Sequence, residues 1–318
     1  DVFMKYRQLK NTGICVSWWT VGTWGMSGTG NFGYFDRQDS IAAIRAAIEG
    51  GVNHIDTAPV YGNGYAEQLV GEAIAGLDRS RLLISTKFGL SPHALTRAKR
   101  DAGFDAAMRE VESSLRNLKT DYIDFYFVHW PDESTPIAET MTALNLLKSM
   151  GKIRHIGLSN FSQKQIEEAR QYGQIDVLQT EYSMVNRKNE AVIRWCEQQG
   201  IDVFTYGSLG SGILSGKYRS IPEMDPSDTR INFYDYFKEP KFSRIQRLLK
   251  VMDQIADRHH CPLTQVAMNW SLSQPGVSTA LIGVLKKSQA VENCQAFQWQ
   301  FTEEEITILN QAIQKENL

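Results

Sequence analysis

Four side chains whose types can move a proton stand directly or a few residues after short apolar runs. Asp56, Lys87 and His129 each follow such a run, and Tyr61 lies five residues beyond Asp56. A phenol ionises near pH 10, about 3 pH units above neutrality, and a nearby ammonium group favours its ionisation. If Asp56 holds Lys87 charged beside it, Tyr61 becomes a proton donor of adjustable strength. An N–H from His129 would orient a carbonyl oxygen and stabilise its developing negative charge.

This set is suited to protonating a carbonyl oxygen while another group attacks the carbon. We find no Ser-His-Asp or Cys-His nucleophile arrangement among the same positions, so we expect a cofactor to supply hydride. Each residue alone has a structural explanation: Asp56 can cap a turn, Lys87 can reach solvent, and His129 can pack in a core. Their shared position after apolar runs favours a common function.

The elements that would position these residues are read from the hydrophobic pattern. Short apolar runs alternate with amphipathic stretches, as in a parallel sheet built from βαβ units. The predicted strands are 17–21, 52–55, 82–86, 122–128, 153–158, 177–180, 202–205 and 279–282. The predicted helices lie near 39–50, 65–76, 105–118, 136–150, 162–172, 190–199, 241–259 and 288–297.

The pattern predicts an α/β fold in which residues 1–318 form a single (β/α)8 TIM barrel domain, with an open doubly wound sheet as the alternative. We expect Met4 to be the native start. Two segments break the regularity: a long loop at 207–240, and an extra C-terminal helix near 303–315 opened by Thr302-x-x-Glu305. Strand ends of a barrel meet at one rim, so its strands would bring the polar residues together.

Composition limits the choice of partners. The chain of 318 residues carries a formal charge of −2 at pH 7, which favours neither nucleic acid nor an anionic membrane as partner. No uninterrupted apolar run is long enough for a membrane span and no signal pattern opens the chain, so we expect a cytoplasmic protein. The 4 cysteines form no C-x-x-C motif, and we expect no metal site.

Several stretches resemble the aldo-keto reductase family over nearly the whole chain. They are GVNHIDTAPVYG at 51–62, TKF at 86–88, DYIDFYFVHW at 121–130 and GKIRHIGLSN at 151–160. The resemblance implies a catalytic tetrad of Asp56, Tyr61, Lys87 and His129, the set already assembled from the strand ends. Within the family, residues 61–67 and 206–217 look most similar to bacterial general-stress and inositol-locus reductases, and more distantly to potassium-channel β subunits.

The same resemblance implies a nicotinamide cofactor. It assigns Ser159, Asn160 and Gln179 to the carboxamide and Tyr206 to stacking on the ring, with Gly22, Thr23 and Trp24 as the near wall. Small residues of the next run would let backbone N–H groups approach the pyrophosphate, and a lysine would add charge. The residues assigned there are Gly207, Ser208, Leu209, Ser211, Gly212 and Lys217.

The adenosine end is matched around the start of the predicted eighth helix, where a helix N-terminus favours phosphate. The residues assigned to it are Gly283, Lys286, Lys287, Gln289, Glu292 and Asn293. Leu285 departs from the family pattern, because close relatives often carry Arg or Ser there to contact a 2′-phosphate. We expect Lys286, Lys287 and Gln289 to compensate, and therefore predict NADPH, with NADH as the alternative.

A G-x-G-x-x-G motif at 28–33 resembles a dinucleotide-fold fingerprint, but it does not join a predicted strand to a helix, and we interpret it as loop.

The substrate would be a small-molecule carbonyl compound held by aromatic walls. The predicted pocket residues are Trp24, Phe32, Tyr34, Trp130, Arg230 and Phe233. Two other functions remain open: an NADPH-binding regulatory module with slow turnover, and a barrel glycosidase using Asp56 and Glu181. The sequence does not define the oligomeric state.

Overall fold

The computed structural model describes residues 3–28, 34–91, 99–226 and 228–318. The strands are β1 (Tyr6–Gln8), β2 (Cys15–Ser17), β3 (Trp19–Gly22), β4 (His54–Asp56), β5 (Leu83–Phe88), β6 (Leu90–Ser91), β7 (Lys99–Arg100), β8 (Ile123–Val128), β9 (Ile153–Ser159), β10 (Val177–Glu181), β11 (Asp202–Tyr206) and β12 (Val277–Gly283). The helices are α1 (Arg37–Glu49), α2 (Tyr65–Ala73), α3 (Phe104–Leu118), α4 (Ile137–Ser149), α5 (Gln163–Ala169), α6 (Glu190–Gln198), α7 (Arg230–Phe233), α8 (Lys241–His259), α9 (Leu263–Ser273), α10 (Lys287–Cys294) and α11 (Glu303–Lys315).

Eight parallel strands close into a barrel in the order β10-β11-β12-β3-β4-β5-β8-β9. The predicted (β/α)8 barrel is therefore confirmed, and each predicted strand overlaps one barrel strand. The barrel draws its strands from Trp19 to Gly283, and the assignment of all 318 residues to one domain stays a prediction.

The run 17–21, predicted as one strand, is split at Trp18. Ser17 belongs to β2, which pairs antiparallel with β1, whereas β3 enters the barrel beside β12 and β4. Both strands are short and largely buried, so the hydrophobic pattern alone carries no sign that the pairing partner changes. The hairpin lies at the amino ends of the barrel strands, because the Lys10 N–H donates to Asp202 at the start of β11.

The barrel interior is filled by a small apolar cluster. It contains Leu9, Val16, Phe125, Phe127, Val177, Phe204 and Leu281. Leu9 and Val16 come from the N-terminal hairpin and its turn, so this segment fills the amino end of the barrel.

The long loop and the final helix are both present as the sequence indicated. Thr302 caps α11, with its side chain accepting from the Glu305 N–H and the Glu305 carboxylate accepting from the Thr302 N–H. The segment 207–240 contains the short helix α7, which was not predicted. Within the described ranges, no helix is both long and apolar enough to span a membrane.

Candidate active site

The predicted tetrad converges at the carboxyl rim. Asp56 ends β4 and Lys87 lies near the end of β5, which is the next strand of the barrel. Both side chains are almost fully buried, and Lys87 Nζ lies 2.7 Å from Asp56 Oδ2. Adjacent parallel strands thus bring opposite charges into contact inside the protein, where a charge must be paired to be tolerated.

The Lys87 ammonium group uses all its donors within the site. It donates to Asp56, to the Thr57 carbonyl oxygen at 2.9 Å, and to the Tyr61 hydroxyl at 3.5 Å. Since an ammonium has three N–H groups, its orientation is fixed. The predicted contact between Tyr61 and Lys87 is therefore present in the structure, although its distance lies at the long end for a hydrogen bond.

Burial and charge act in opposite directions on the two protonated groups. Burial lowers the pKa of Lys87, but the attraction and hydrogen bond of Asp56 outweigh it, so this pKa is raised above its ordinary value. For Tyr61, burial raises the pKa, and the ammonium of Lys87 offsets only part of that effect. The resting phenol is consequently a weaker acid than an exposed tyrosine and stays protonated at neutral pH.

His129 is a neutral imidazole at the same point. Burial, and next the positive charge of Lys87, hold the pKa of His129 well below its ordinary value. Its ring lies edge-on to that of Tyr61, with centroids 6.1 Å apart. A neutral imidazole carries one N–H, so it can donate one hydrogen bond to an oxygen placed between the two rings.

The residues predicted to hold a nicotinamide lie beside the tetrad and are linked to one another. Tyr206 donates to Asn160 Oδ1 at 2.7 Å, and Asn160 Nδ2 donates to Ser159 Oγ and to the His129 carbonyl oxygen, each at 3.2 Å. Gln179 Nε2 donates to Asp56 Oδ1 at 3.0 Å. Gln179 therefore contacts the tetrad directly, which the sequence did not indicate.

The near wall contacts the tetrad through the backbone of β4. Thr23 Oγ1 donates to the Asp56 carbonyl oxygen at 2.9 Å. Gly22 and Gly283 are register partners at the ends of β3 and β12, and a Cβ added at Gly283 would meet no atom within 4 Å. Two neighbouring strands thus end without side chains, which leaves a notch where an extended ligand can cross the rim.

The segment predicted to bind pyrophosphate, residues 207–217, forms a series of tight turns. Gly207, Gly210, Gly212 and Gly216 have positive φ values, and so does Ser211 at 54°. Ser208 Oγ is buried and has no hydrogen-bond partner among the described residues. An unpaired buried hydroxyl is unusual in proteins, and a phosphate oxygen would give this one an acceptor. The rim notch and this hydroxyl therefore fit a dinucleotide.

The later part of the long loop, which contains α7, is attached to the segment 207–217 at the start of the same loop. The Arg230 guanidinium forms an ion pair with Asp228 and donates to the Ser211 carbonyl oxygen at 3.3 Å. Phe233, which is 67% exposed, lies edge-on to Trp24 with ring centroids 6.1 Å apart. The loop therefore reaches from the β11 side of the rim to the β3 side, and of the predicted pocket residues it brings Trp24 and Phe233 together.

The other predicted pocket residues are more dispersed. Trp130 packs under Arg100, whose guanidinium carbon lies 5.1 Å from the ring centroid. Tyr34 hydrogen-bonds Asp39 and lies under Lys286, whose Nζ is 4.6 Å from the ring centroid. We therefore place Tyr34 at the predicted adenosine end instead of the substrate pocket. Phe32 lies outside the described residues.

At the predicted adenosine end, the candidate residues have different contacts. Gln289 Oε1 accepts from the backbone N–H groups of Leu285 at 2.7 Å and Lys286 at 3.2 Å, so this side chain holds the start of α10. Glu292 Oε1 accepts from Thr264 Oγ1, and Asn293 is buried. Lys287 and Glu292 line an open hollow on α10. Among the described contacts, the Lys287 ammonium group has no partner that a ligand phosphate would have to displace.

Two buried groups of the site were missed from the sequence. His54 and Ser85 lie two residues before Asp56 and Lys87, and residues at that spacing share a strand face. This periodicity was the available signal. Glu181, considered only as a glycosidase carboxylate, ends β10, where burial raises its pKa. In the described ranges, no three His, Cys, Asp or Glu side chains are grouped to hold a metal ion.

Comparisons with known proteins agree with this geometry. The model of the aldo/keto reductase family matches residues 20–314. The chain is 36% identical over 310 residues to an aldo-keto reductase of Bacillus subtilis, covering 96% of this chain and 93% of the relative. It is 32% identical over 322 residues to an NADH-specific methylglyoxal reductase of Escherichia coli, covering 97% and 98%. Among solved structures, a glycerol dehydrogenase from Gluconobacter oxydans superposes with a TM-score of 0.88 at 30% identity, covering 98% of this chain and 95% of that one.

Proposed function

Because this chain belongs to the aldo/keto reductase family, whose members reduce carbonyl groups with a nicotinamide cofactor, we propose that it reduces an aldehyde, an aldose or a small ketone to an alcohol. The observation that carries the proposal is the buried contact series from Asp56 through Lys87 to Tyr61. It joins a fixed charge to the phenol of Tyr61, whose ring lies edge-on to that of His129.

In the proposed reaction, Tyr61 is the general acid. Its hydroxyl gives a proton to the substrate oxygen as negative charge develops there, and Lys87 stabilises the phenolate that forms. Burial raises the pKa of Tyr61, so the resting residue keeps its proton until the substrate oxygen becomes basic. His129 donates its single N–H to the same oxygen and so fixes the direction of the carbonyl group.

A bound nicotinamide cofactor would supply the hydride. Ser159, Asn160 and Gln179 would hold its carboxamide through amide and hydroxyl groups, and Tyr206 would offer its ring face. The segment 207–217 would hold the pyrophosphate through Ser208 and Lys217. This assignment is supported by the unpaired Ser208 hydroxyl and by the rim notch at Gly22 and Gly283.

We propose NADPH as the preferred cofactor. Lys286 and Lys287 stand at the start of α10, where two ammonium groups and the helix N-terminus favour an additional phosphate dianion. Gln289, by contrast, acts on the backbone of α10, and we no longer expect it to contact the phosphate. The Escherichia coli relative is NADH-specific, so the two cofactors must be compared directly.

The substrate is proposed to be a small oxygenated carbonyl compound. The relatives described above act on methylglyoxal and glycerol, both small and polar. Trp24 and Phe233 give the mouth an aromatic wall, and the polar tetrad lies beneath. Aromatic surfaces with a few convergent polar groups suit a short chain that carries one reactive carbonyl.

The proposal is tested by titrating the protein with NADPH and NADH, following cofactor fluorescence, and then assaying sugars, aryl aldehydes and small ketones. We expect NADPH to bind at least about 10-fold more tightly, as one additional charged contact provides. Steady turnover of at least one carbonyl class is expected. Failure of both cofactors to bind would refute the proposal, and tight binding without turnover would favour the regulatory module instead.

A further inference from the structure

A series of hydrogen bonds runs through the barrel interior and ends on Asp56. Ser85 Oγ donates to Asp56 Oδ1 at 2.7 Å. His54 Nε2 lies 2.9 Å from Ser85 Oγ, and His54 Nδ1 lies 2.8 Å from Thr20 Oγ1. Thr20, His54 and Ser85 are fully buried. The tetrad residue is thus contacted from inside the barrel by groups that the proposed reaction does not otherwise use.

Strand geometry explains why these groups meet. His54 and Asp56 lie on the same face of β4, and Ser85 and Lys87 on the same face of β5, because side chains alternate along a strand. Asp56 and Ser85 are register partners. The imidazole of His54 therefore reaches Ser85 diagonally, while its ring packs edge-on against Phe125 and Phe204 at 5.6 and 5.2 Å.

The direction of each bond follows from the carboxylate at the end. Asp56, ionised beside Lys87, can only accept, so the Ser85 hydroxyl must donate its one hydrogen to it. Ser85 then accepts from His54, which requires the proton on Nε2. Nδ1 is left as an acceptor for Thr20. Every hydrogen in the series consequently points toward Asp56, and such aligned bonds polarise one another.

The directed series begins at Thr20, next to the backbone. Thr20 Oγ1 lies 3.0 Å from Thr279 Oγ1, but the one hydrogen of Thr279 points to the backbone, where the carbonyl oxygens of Ser17 and Trp18 lie 2.8 and 3.1 Å away. Since the Thr20 hydrogen is donated to His54, no hydrogen joins the two hydroxyls. A carbonyl oxygen carries no proton to pass on. The series therefore cannot act as a proton path to solvent, and its effect on Asp56 must be electrostatic and orientational.

We propose that His54 and Ser85 are positioning residues, which hold Asp56 through the Ser85 hydroxyl and so control how strongly Lys87 assists proton donation by Tyr61. This inference rests on the proposed carbonyl reduction. Removing the Ser85 donor concentrates negative charge on Asp56, which then holds the Lys87 proton more tightly. Lys87 supports the developing Tyr61 phenolate less, and the phenol becomes a weaker acid.

The fold does not need Ser85 to satisfy Asp56. Oδ1 also accepts from Gln179 at 3.0 Å, and Oδ2 accepts from Lys87. Ser85→Ala therefore leaves the carboxylate with two donors and removes only one oxygen atom. The same oxygen accepts from the buried His54 Nε2–H, so the variant loses the stability of that one hydrogen bond. A fold that persists together with a clear effect on the acid is the expected signature of a positioning role.

Other groups facing Tyr61 stay unchanged in this variant, so a shift can be assigned to Asp56. The titratable groups that act on Tyr61 come from several strands and from the long loop: Asp56, Lys87, His129, Tyr206 and Tyr234. His54 is kept neutral, because burial lowers its pKa to about 4. His54 therefore does not titrate in the alkaline pH range, where ionisation of Tyr61 would limit the rate.

The kinetic experiment measures the single-turnover rate of reduction against pH in the cofactor-loaded protein. We expect Ser85→Ala to lower the plateau about 10-fold and to move the alkaline limb to higher pH by about 0.5 unit, with cofactor affinity within about twofold. His54→Phe should act in the same direction more weakly, and His54→Gln, which restores an N–H donor, should recover most of the rate. Ser271→Ala is the control, because this buried hydroxyl in α9 has no partner among the described residues.

A second readout needs no activity. In protein labelled with ¹⁵N-histidine, His54 should show the Nε2–H tautomer with a slowly exchanging proton, assigned by its absence in His54→Phe. Ser85→Ala should shift this proton signal, and Ser271→Ala should leave it unchanged. An Nδ1–H tautomer would overturn the proposed direction of the series, whether or not the variants fold well.

The outcomes separate this inference from the proposed function. If Tyr61→Phe loses turnover while Ser85→Ala and His54→Phe keep the pH profile of Ser271→Ala, the positioning role is wrong and the proposed function stands. If Tyr61→Phe keeps full turnover, the acid assignment itself fails. A double variant of His54 and Ser85 no slower than Ser85→Ala alone supports one connected series, and additive effects contradict it.

Discussion

At the scale of single residues, the site is organised by a lysine whose donors are all used. Lys87 contacts Asp56, the Thr57 carbonyl and Tyr61, and it is only 1% exposed. A buried charge of this kind contributes little net stability when paired, yet its removal leaves the partner charge uncompensated. The same contacts that orient Lys87 therefore also make the fold depend on it.

Lys87→Met is expected to lower the free energy of unfolding by about 3–5 kcal/mol, because Asp56 would remain buried without its cation. Lys152→Met is the matched control, since Lys152 pairs with Glu112 at a partly exposed position. There the loss should stay below about 1 kcal/mol. Urea unfolding at pH 7 measures both. Equal losses in the two variants would contradict the buried-pair interpretation.

His54 makes a pH-dependent contribution to stability that can be isolated by a variant. Burial lowers its folded pKa to about 4, below its unfolded value, so the unfolded chain binds the extra proton between those two pH values. Wild-type stability should therefore fall, relative to His54→Phe, by about 1.4 kcal/mol per pH unit as pH drops from about 6.5 to about 4. Glu110, whose pKa burial raises to about 7, acts with the opposite sign but is present in both proteins.

Urea unfolding between pH 4 and 7.5 provides the measurement for this prediction. His260→Asn is the control, because His260 is an exposed residue that ends α8 with a positive φ of 51°, a conformation that asparagine also adopts. Its difference from wild type should not follow the slope expected for His54. A pH-independent difference between wild type and His54→Phe would show that this histidine is not held neutral in the folded state.

The tetrad was predictable residue by residue because Asp56, Lys87 and His129 follow apolar runs, Tyr61 lies five residues beyond Asp56, and the residue types are chemically distinctive. Its interior partners were not predicted. His54 and Ser85 sit at ordinary strand positions, and only the register between β4 and β5 brings them to Asp56. The direction of the pKa change at Tyr61 was also not predicted. A cation beside a phenol suggests a lowered pKa, whereas burial raises the pKa of Tyr61.

At the scale of elements, α10 and the long loop would divide the work of holding the proposed cofactor. Gln289 holds the start of α10 through two backbone N–H groups, while Lys286 and Lys287 carry the charge. Arg230, in the later part of the long loop, attaches it to the first part, residues 207–217. In the proposed function, Gln289 would thus fix a helix end that any dinucleotide uses, and the two lysines would respond only to an additional phosphate.

This division predicts different outcomes for substitutions in α10. Lys287→Met should weaken NADPH binding about 10-fold and leave NADH within about twofold, since only one cofactor loses a charged contact. Gln289→Ala should weaken both cofactors by similar factors, because it loosens the helix end itself. Fluorescence titration of both cofactors measures this, with Lys164→Met, at an exposed position of α5, as control. Equal loss of both cofactors in Lys287→Met would remove the basis for choosing NADPH.

The order of strands and helices was predictable because the apolar periodicity is strong and helix ends carry clear signals. Where prediction failed, the cause was tertiary. The split at Trp18, the hairpin of β6 and β7, and helix α7 all depend on pairing or packing that a local window does not contain.

At the scale of the whole molecule, the barrel separates stability from chemistry along its axis. The amino end is filled by the N-terminal hairpin and the apolar cluster around Phe125 and Phe204. The carboxyl end carries the tetrad, the glycine notch and the long loop. The hydrogen bonds from Thr20 to Asp56 cross between these two regions, so the interior core also contacts the proposed chemistry.

The central claim is that Tyr61 supplies the proton on which carbonyl reduction depends. Tyr61→Phe removes one oxygen atom and leaves Lys87 paired with Asp56, so the fold and the cofactor affinity should persist. The decisive measurement is the single-turnover rate with an aldehyde for NADPH-loaded wild type and Tyr61→Phe. We predict a loss of at least about 100-fold, the usual contribution of a positioned general acid. A rate within about threefold of wild type, at unchanged cofactor affinity, would contradict the account.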